Sequence, residues 1–327
     1  MHTILVTGGA GYIGSICCAR LLEQGHSIIV IDDLSTGFRE SVPPQIPFYE
    51  ASIRDRQTLR DILREHPVDV VFHFAAKALI PESVSNPGAF FDDNVAAGIS
   101  LLEEIRLARV RRFVFSSSAA VYGNPERVPI AETDHKEPLN SYGETKLMFE
   151  NVLSWYARAY GWGVAALRYF NACGAWGSLG ERHDPETHII PLLLQAASGE
   201  LKEFKIFGTD YPTPDGTCLR DYVHVVDIAD AHICAIPLLD SAGMHAFNIG
   251  TGKSYSVREV VRTVERITGN RIQTHDVGRR PGDPAILCAS SNKLRRTLGW
   301  TPSSSDLSHI VKTAWAFYQS LSTEISI

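Results

Sequence analysis

The sequence lacks several features that would place it in a membrane or on a nucleic acid. Its 327 residues contain no apolar run of the roughly 18 residues that a bilayer-spanning helix needs. Basic residues are not in excess, since 31 lysines and arginines stand against 37 aspartates and glutamates, which gives a net charge of -6. The N-terminal residues show neither the basic region nor the cleavage site of a secretory signal. We therefore expect a cytoplasmic protein that binds neither a membrane nor a nucleic acid.

Cysteine is scarce, and its spacing is not that of a disulfide or zinc framework. No C-x-x-C pair occurs among the six cysteines, which are Cys17, Cys18, Cys173, Cys218, Cys234 and Cys288. His183 and His188 flank the sequence D-P-E-T, but Pro185 interrupts any helix that would align the two imidazoles as ligands. The sequence therefore predicts reduced, buried thiols and no metal site.

The N-terminal residues predict a β-α-β unit with a glycine-rich turn. A short apolar run at 4–6 leads into T-G-G-A-G-Y-I-G at 7–14, then a helical pattern, then an apolar run that ends at Asp32 and Asp33. Glycines in this position allow a tight turn and the close approach of a pyrophosphate to a helix N-terminus. Asp32 would accept hydrogen bonds from ribose hydroxyls and repel a 2′-phosphate, which favours NAD over NADP. NADP remains the alternative, because Arg39 lies only a few residues further on.

The alternation of strand and helix patterns continues through the first half of the chain. Strand patterns at 68–76 and 112–118 are separated by helical patterns at 56–64 and 94–108. The pattern predicts an α/β fold: a Rossmann-type doubly wound parallel sheet, followed by a smaller C-terminal α+β substrate domain. We expect the NAD-binding domain to comprise residues 1–171 with return segments near 219–250, and the substrate-binding domain to comprise 172–327.

A helical segment at 140–153 carries an unusual pair of side chains. Tyr142 and Lys146 are four residues apart and therefore share one helix face. An ammonium group beside a phenol favours the phenolate, so Lys146 would lower the pKa of Tyr142 and make it a usable base. The spacing alone is equally compatible with an ordinary exposed helix face.

Several motifs together resemble the extended short-chain dehydrogenase/reductase family over nearly the whole chain. They are T-G-G-A-G-Y-I-G, S-S-S-A-A-V-Y-G, Y-G-E-T-K, G-E-R-H-D-P-E-T-H-I-I-P and R-R-P-G-D-P-A. Within the family, the chain resembles the enzymes that epimerise UDP-sugars at C4. This resemblance implies NAD-dependent interconversion of UDP-glucose and UDP-galactose by oxidation at C4, rotation of the 4-keto sugar and re-reduction. It also implies a homodimer.

The resemblance assigns roles to individual residues. Tyr142 would take the proton of the sugar 4-hydroxyl, and Lys146 would lower the pKa of Tyr142 and hold the nicotinamide ribose. Ser118 would hydrogen-bond the same sugar hydroxyl, with Ser117 as the alternative. The implied cofactor contacts are Gly8, Gly11, Tyr12, Ile13, Gly14, Asp32, Asp33, Ser52, Ile53, Phe74, Ala75, Lys77, Asn94, Tyr142, Lys146 and Tyr169. The implied substrate contacts are Ser118, Asn171, Ile189, Phe207, Arg220, Arg280, Asp283 and Leu287.

Two departures from the family pattern and several alternative activities remain open. Ser52 replaces a common acid near the adenine, and Leu287 stands where relatives carry either a bulky tyrosine or a small residue. Leucine is smaller than tyrosine, so N-acetylated UDP-sugars are expected to enter.

The alternatives are 4-epimerisation of UDP-xylose, UDP-arabinose or UDP-glucuronate, an NDP-sugar dehydratase, and a non-catalytic NAD-sensing protein. A dehydratase would need an acid after Ser118, where Ala119 and Ala120 follow.

Overall fold

The computed structural model describes residues 1–280 and 283–324 as strands and helices that largely alternate in the first half of the chain. The strands are β1 (Thr3–Thr7), β2 (Ser27–Asp32), β3 (Phe48–Glu50), β4 (Val70–His73), β5 (Arg112–Ser118), β6 (Gly163–Tyr169), β7 (Asn171–Cys173), β8 (Phe204–Phe207), β9 (Leu219–His224), β10 (Gly243–Ile249), β11 (Ser254–Ser256), β12 (Thr274–Val277) and β13 (Ile286–Leu287). The helices are α1 (Tyr12–Glu23), α2 (Arg56–Glu65), α3 (Ile80–Ser85), α4 (Pro87–Phe91), α5 (Ala97–Leu107), α6 (Ser141–Tyr160), α7 (Ile189–Ser198), α8 (Val225–Cys234), α9 (Val257–Thr268), α10 (Asn292–Leu298) and α11 (Leu307–Glu324).

The larger sheet confirms the predicted Rossmann-type arrangement. Its seven strands lie in the order β10-β6-β5-β4-β1-β2-β3, and every neighbouring pair is parallel. Side chains alternate between the two faces, so Ile4 and Val6 of β1 join one apolar core while Leu5 joins the other. Helices α1 and α8 cover the first face, and α2, α5 and α6 cover the second. The carboxyl ends of all seven strands therefore meet at one edge, where ligands bind in this type of sheet.

Helix α6 has clear sequence signals at both ends. The side chain of Asn140 caps it by accepting a hydrogen bond from the backbone N–H of Gly143, at 2.9 Å. Gly161 ends it in the left-handed conformation, with φ of 68°. Between these ends, Phe149 and Leu153 are fully buried against the sheet. These contacts hold α6 against the large sheet, close to the carboxyl ends of its strands.

The second half of the chain builds a smaller unit on the same edge. Strand β9 pairs with β7, β11 and β13, while β8 pairs with β12. Helices α7, α9 and α11 enclose an apolar core with these strands, through Leu193, Val264 and Ile310 among others. Within the predicted return segment, β9 joins the smaller sheet, whereas α8 and β10 lie with the large sheet. The domain boundary at residue 171 stays a prediction.

Two predicted elements differ from the structure at their ends. The strand predicted at 68–76 is shorter, because β4 ends at His73 and the chain then turns along the cavity described below. The helix predicted at 94–108 begins with a π-type turn, Asp92–Ala96, before α5 continues it. Within the described residues, none of the helices combines the length and the apolar character that crossing a bilayer requires.

Candidate active site

A cavity of about 1540 Å³ lies at the carboxyl edge of the large sheet and extends to the smaller unit. Pockets for one small molecule usually measure about 300–1,000 Å³. The cavity therefore has room for two ligands of nucleotide size. One end is formed by the loops after β1 and β2, and the other by residues around β8, β9 and β13.

The glycine-rich turn forms the first end of the cavity. Gly8 has φ of 72°, and a Cβ atom there would lie 2.4 Å from the backbone nitrogen of Ala75. A Cβ atom on Gly14 would lie 2.1 Å from the carbonyl oxygen of Gly8, so the turn and the start of α1 pack without space for side chains. At Gly11, by contrast, a Cβ would meet only that same carbonyl oxygen, at 3.5 Å, and would otherwise fill the cavity. This open cradle at a helix N-terminus fits a pyrophosphate.

Asp32 lies beside this turn, at the end of β2. Its carboxylate accepts hydrogen bonds from the backbone N–H groups of Ala10 and Leu34, both at 2.9 Å. Burial raises the pKa of Asp32, and these two hydrogen bonds oppose the rise. Arg39 is exposed and does not line the cavity; it stacks over the ring of Phe48 at 4.4 Å and donates to the carbonyl of Val42. The carboxylate of Asp32 fits the ribose hydroxyls of NAD.

Tyr142 and Ser118 lie together in the wall between the two ends of the cavity. Tyr142 is 7% exposed, and its hydroxyl interacts with that of Ser118. Burial raises the pKa of Tyr142, while the interaction with Ser118 lowers it. Ser118 also accepts a hydrogen bond from the backbone N–H of Ala120 at 3.1 Å, which fixes its hydroxyl. Two hydroxyl groups are thus held side by side at the cavity surface.

Lys146 lies one helical turn from Tyr142 and is buried beneath it. Its ammonium nitrogen donates to the carbonyl oxygen of Ser116 at 2.9 Å and lies 5.7 Å from the centre of the Tyr142 ring. Burial lowers the pKa of Lys146 to about 7, and the nearby carboxylate of Glu150 opposes this. The expectation that the pKa of Tyr142 is lowered is wrong for this structure, because its own burial dominates.

A buried ion pair that the sequence analysis missed supports this wall. Arg168 donates from Nε to Glu150 at 2.8 Å and from Nη1 to the hydroxyl of Tyr122, also at 2.8 Å. Ser117 donates to the same Glu150 carboxylate at 2.6 Å and is fully buried, so it lies away from the cavity that Ser118 lines. The sequence signal for this ion pair was Glu150, an acid four residues after Lys146 and next to Phe149 on a buried helix face.

The far end of the cavity carries the predicted substrate contacts. Arg220 pairs with Asp283 at 3.1 Å and donates to the carbonyl of Pro284 at 2.9 Å. Arg280 stacks over the ring of Phe207 at 3.8 Å. The remaining predicted contacts, Asn171, Ile189 and Leu287, line the cavity as well. Of the motif R-R-P-G-D-P-A, Pro281 and Gly282 lie outside the described residues.

Most of the predicted site residues line this one cavity, but Asn94 and Lys146 do not. Asn94 is buried and binds the backbone N–H and carbonyl of Lys77, at 2.8 and 3.0 Å. It also donates to the hydroxyl of Thr145 at 3.0 Å. Asn94 therefore holds the loop after β4 against α6 and fixes the backbone of Lys77, and its contact with the cofactor stays a prediction. The predicted cofactor contacts Ser52, Ile53, Phe74 and Tyr169 do line the cavity.

The segment between β7 and α7 also contributes to the cavity wall. His183 and His188 both line it, and their ring centres lie 5.6 Å apart. Pro185 does exclude a helix here, as the sequence predicts, and the path of the loop brings the two imidazoles together. Glu181 lies between them, within hydrogen-bonding reach of His183 and 3.8 Å from Nδ1 of His188.

Comparison with known proteins agrees with this geometry. Residues 4–250 match the NAD dependent epimerase/dehydratase family. The UDP-glucose 4-epimerase of Lacticaseibacillus casei is 47% identical over 97% of this chain and 97% of that protein. The UDP-glucose 4-epimerase of Corynebacterium glutamicum is 46% identical over 97% of this chain and 96% of its own. The crystal structure of UDP-glucose 4-epimerase from Brucella ovis in complex with NAD superposes with a TM-score of 0.94, at 44% identity over 97% of this chain and 98% of that one.

Proposed function

The chain belongs to the NAD-dependent epimerase/dehydratase family, and from this premise we propose that it interconverts UDP-glucose and UDP-galactose. The observation that carries this function is a single cavity that joins two sites. The glycine turn and Asp32 form a dinucleotide site at one end, and the hydroxyl groups of Tyr142 and Ser118 face the space between that site and the two arginines. A sugar held at its diphosphate would present its 4-hydroxyl at this point.

The cofactor is NAD, which fits the cradle at Gly11 and the carboxylate of Asp32. When bound, it supplies a reversible hydride acceptor for C4 of the sugar. The side chains supply the proton chemistry. We propose that Tyr142 removes the proton of the 4-hydroxyl at its phenolic oxygen and returns it after the sugar has turned, while Ser118 holds that hydroxyl by a hydrogen bond.

Lys146 acts on this proton transfer through its charge. With a pKa of about 7, the side chain can be cationic near neutral pH. A positive charge 5.7 Å from the Tyr142 ring favours the phenolate. Substrate binding expels water from the cavity, which lowers the local dielectric constant and strengthens this attraction. Burial of Tyr142 and the charge of Lys146 therefore act in opposite directions on the same hydroxyl.

The size of the cavity permits the rotation that inversion requires. The arginines at the far end are suited to diphosphate because guanidinium groups pair with phosphate oxygens. Arg280 is held by stacking on Phe207, so its charge is positioned before substrate arrives. We propose that the diphosphate stays bound there while the 4-keto sugar turns its other face to the cofactor.

Proton NMR of UDP-galactose with the purified protein and no added cofactor tests this function. We expect UDP-glucose to appear, because NAD that ends each cycle unchanged can stay bound. Absence of conversion, even after NAD is added, would contradict the proposal. UDP-pentoses and UDP-glucuronate would then be the substrates to examine.

We further propose that Leu287 admits an N-acetyl group at C2 of the sugar. Leu287 lies on β13, beside Arg220 of β9, and lines the cavity. Replacing Leu287 by tyrosine is expected to lower kcat/KM for UDP-N-acetylgalactosamine about 10- to 100-fold, with a much smaller loss for UDP-galactose, because the added ring fills the C2 space. Leu287→Met, which conserves volume, is the control and should keep both activities. A wild-type protein that converts UDP-galactose but not the acetamido sugar would refute the idea.

We propose that the protein forms a homodimer through α5 and α6. Both helices expose apolar side chains: Ile99 and Leu107 on α5, and Met148 and Trp155 on α6, with Trp155 67% exposed. Met148 and Trp155 are seven residues apart and share one helix face. Light scattering after size exclusion should give twice the mass of one chain, and Trp155→Glu should shift it toward a single chain. Val128→Glu, at an exposed apolar residue elsewhere, is the matched control.

We also propose a cytoplasmic location. All six cysteines are free thiols, and five of them are buried. Unpaired cysteines are typical of a reducing compartment.

A further inference from the structure

The segment that joins β7 to α7 carries two largely buried carboxylates. The side chains of Glu181 and Glu186 are 10% and 7% exposed, and both line the cavity. Charges removed from water to this extent need a partner of opposite sign. Each carboxylate accepts two backbone N–H hydrogen bonds from its own loop. The ionisable groups that face them are two imidazoles, since His183 bonds Glu181 and His188 bonds Glu186 at 2.8 Å. Two imidazolium ions or one divalent cation would neutralise the pair of acids.

The geometry of the cluster suits a metal ion. Ligand atoms from Glu181, His183 and His188 all lie within 4.8 Å of one another. In a zinc site with bonds of about 2.0–2.2 Å, neighbouring ligand atoms are roughly 3.5 Å apart. Small side-chain rotations would therefore close the three groups around one ion. Two imidazoles and a carboxylate are a donor set that zinc commonly takes, with a fourth position left for water or another oxygen.

We propose that Glu181, His183 and His188 bind one Zn²⁺-like divalent cation, and that Nδ1 of His188 donates to Glu186, which leaves Nε2 of His188 as the ligand atom. The cation balances the two carboxylates while both imidazoles stay neutral. A carboxylate bonded to a ligating imidazole raises its basicity and fixes its orientation. The ligands include neither Tyr142 nor Ser118, so the proposed site requires no part of the epimerase chemistry.

The position of the cluster gives the cation a consequence for the dinucleotide site. Tyr12 is the first residue of α1, and its hydroxyl donates to the carbonyl of Gly174 at 2.6 Å, at the start of this segment. Burial is the main cause of the raised pKa of Tyr12, and the negative charges of Cys173, Glu181 and Glu186 add to it. Uncompensated, these two acids would repel a pyrophosphate at the N-terminus of α1. A divalent cation would remove the repulsion, a consequence that rests on the proposed function.

The segment between β7 and α7 also contacts the chain that follows β2, at the end of the cavity where the dinucleotide would bind. Arg182 pairs with Glu40 at 3.0 Å and stacks over the ring of Phe38 at 3.8 Å, both in the chain that follows β2. The residues on each side of Arg182 are the proposed ligands Glu181 and His183. A cation would therefore hold this segment against the chain that follows β2 and slow the release of a bound dinucleotide.

Cobalt titration of untagged holoenzyme, after dialysis against a chelator, tests the site directly. Co²⁺ replaces Zn²⁺ with visible d–d absorption, and coordination by nitrogen and oxygen lacks the intense near-ultraviolet bands of thiolate ligands. We expect one Co²⁺ per chain without thiolate bands, displaced by Zn²⁺. Glu186→Gln should weaken binding about 10- to 100-fold. His183→Ala and His188→Ala should each abolish it.

The matched control is His135→Ala, which removes an exposed histidine outside the cavity and should bind Co²⁺ like the wild type. No bound Co²⁺ in the wild type, thiolate bands, or binding that survives both histidine substitutions would each overturn the proposal. Circular dichroism and the urea denaturation midpoint of the variants show whether they are folded.

The consequence for the cofactor is measured separately, as the rate of NAD release with and without Zn²⁺. We expect release to become several-fold faster when the metal is removed from the wild type, with no such change in His183→Ala. Equal rates would refute the link to the dinucleotide site. Failure of the epimerase proposal would leave the Co²⁺ stoichiometry unchanged, so the two proposals fail in distinguishable ways.

Discussion

Replacing Tyr142 by phenylalanine is expected to lower kcat about 10²- to 10⁴-fold, the usual contribution of a positioned acid–base group. The substitution removes one oxygen atom and keeps the ring, which packs over the buried Lys146. KM for UDP-galactose should change little, because the diphosphate contacts lie at the other end of the cavity. Steady-state kinetics with UDP-galactose, on protein whose NAD content has been confirmed, gives both quantities.

Tyr156→Phe is the matched control for this prediction. It makes the same change on the same helix, but the Tyr156 hydroxyl bonds Glu103 at 2.5 Å and lies outside the cavity. This variant should keep nearly the full rate. If Tyr142→Phe retained a rate within about tenfold of the wild type, Tyr142 would not be the proton-transfer group.

Replacing Arg168 by methionine should destabilise the protein by about 3–5 kcal/mol, the usual cost of breaking a buried ion pair from one side. Arg168 and Glu150 are only 4% and 5% exposed, so the substitution leaves a carboxylate without its cation inside the core. The loss is measured as the shift in urea denaturation of the holoenzyme. Arg64→Met, which removes an exposed partner of Asp61 on α2, should change the midpoint little.

The double variant Arg168→Met with Glu150→Leu separates this explanation from simple loss of packing. Replacing both charged groups removes the uncompensated carboxylate, so much of the stability should return. A double variant as unstable as Arg168→Met alone would contradict the electrostatic account. Activity is the second readout, because Glu150 holds Ser117 and lies one turn from Lys146.

The sequence predicted the fold well because the determining signals are local. Alternating strand and helix patterns specify a parallel sheet, and the glycines at 8 and 14 specify a turn with no space for a side chain at either position. The end of β4 was placed too late, since the apolar residues after His73 line a ligand cavity instead of continuing the strand. Apolar character alone does not distinguish these two environments.

The electrostatic properties of the site could not be obtained in the same way. The pKa of Tyr142 depends on its burial, which the rest of the fold creates, and the four-residue spacing to Lys146 reports only their proximity. The partner of Glu150 lies on a different strand, and no local pattern joins it to Arg168. Pro185 correctly excluded a helix between His183 and His188. The sequence did not indicate that the loop found there brings the two imidazoles together.

Deuterium tracing tests the central claim most directly. UDP-galactose labelled with deuterium at C4 is incubated with the protein in ordinary water, without added cofactor, and the UDP-glucose formed is examined by NMR and mass spectrometry. Our account predicts that the deuterium remains at C4, because it leaves and returns as hydride on a bound cofactor that does not exchange with solvent. Replacement of the label by solvent hydrogen would show that C4 inverts by proton removal instead, and would contradict the account.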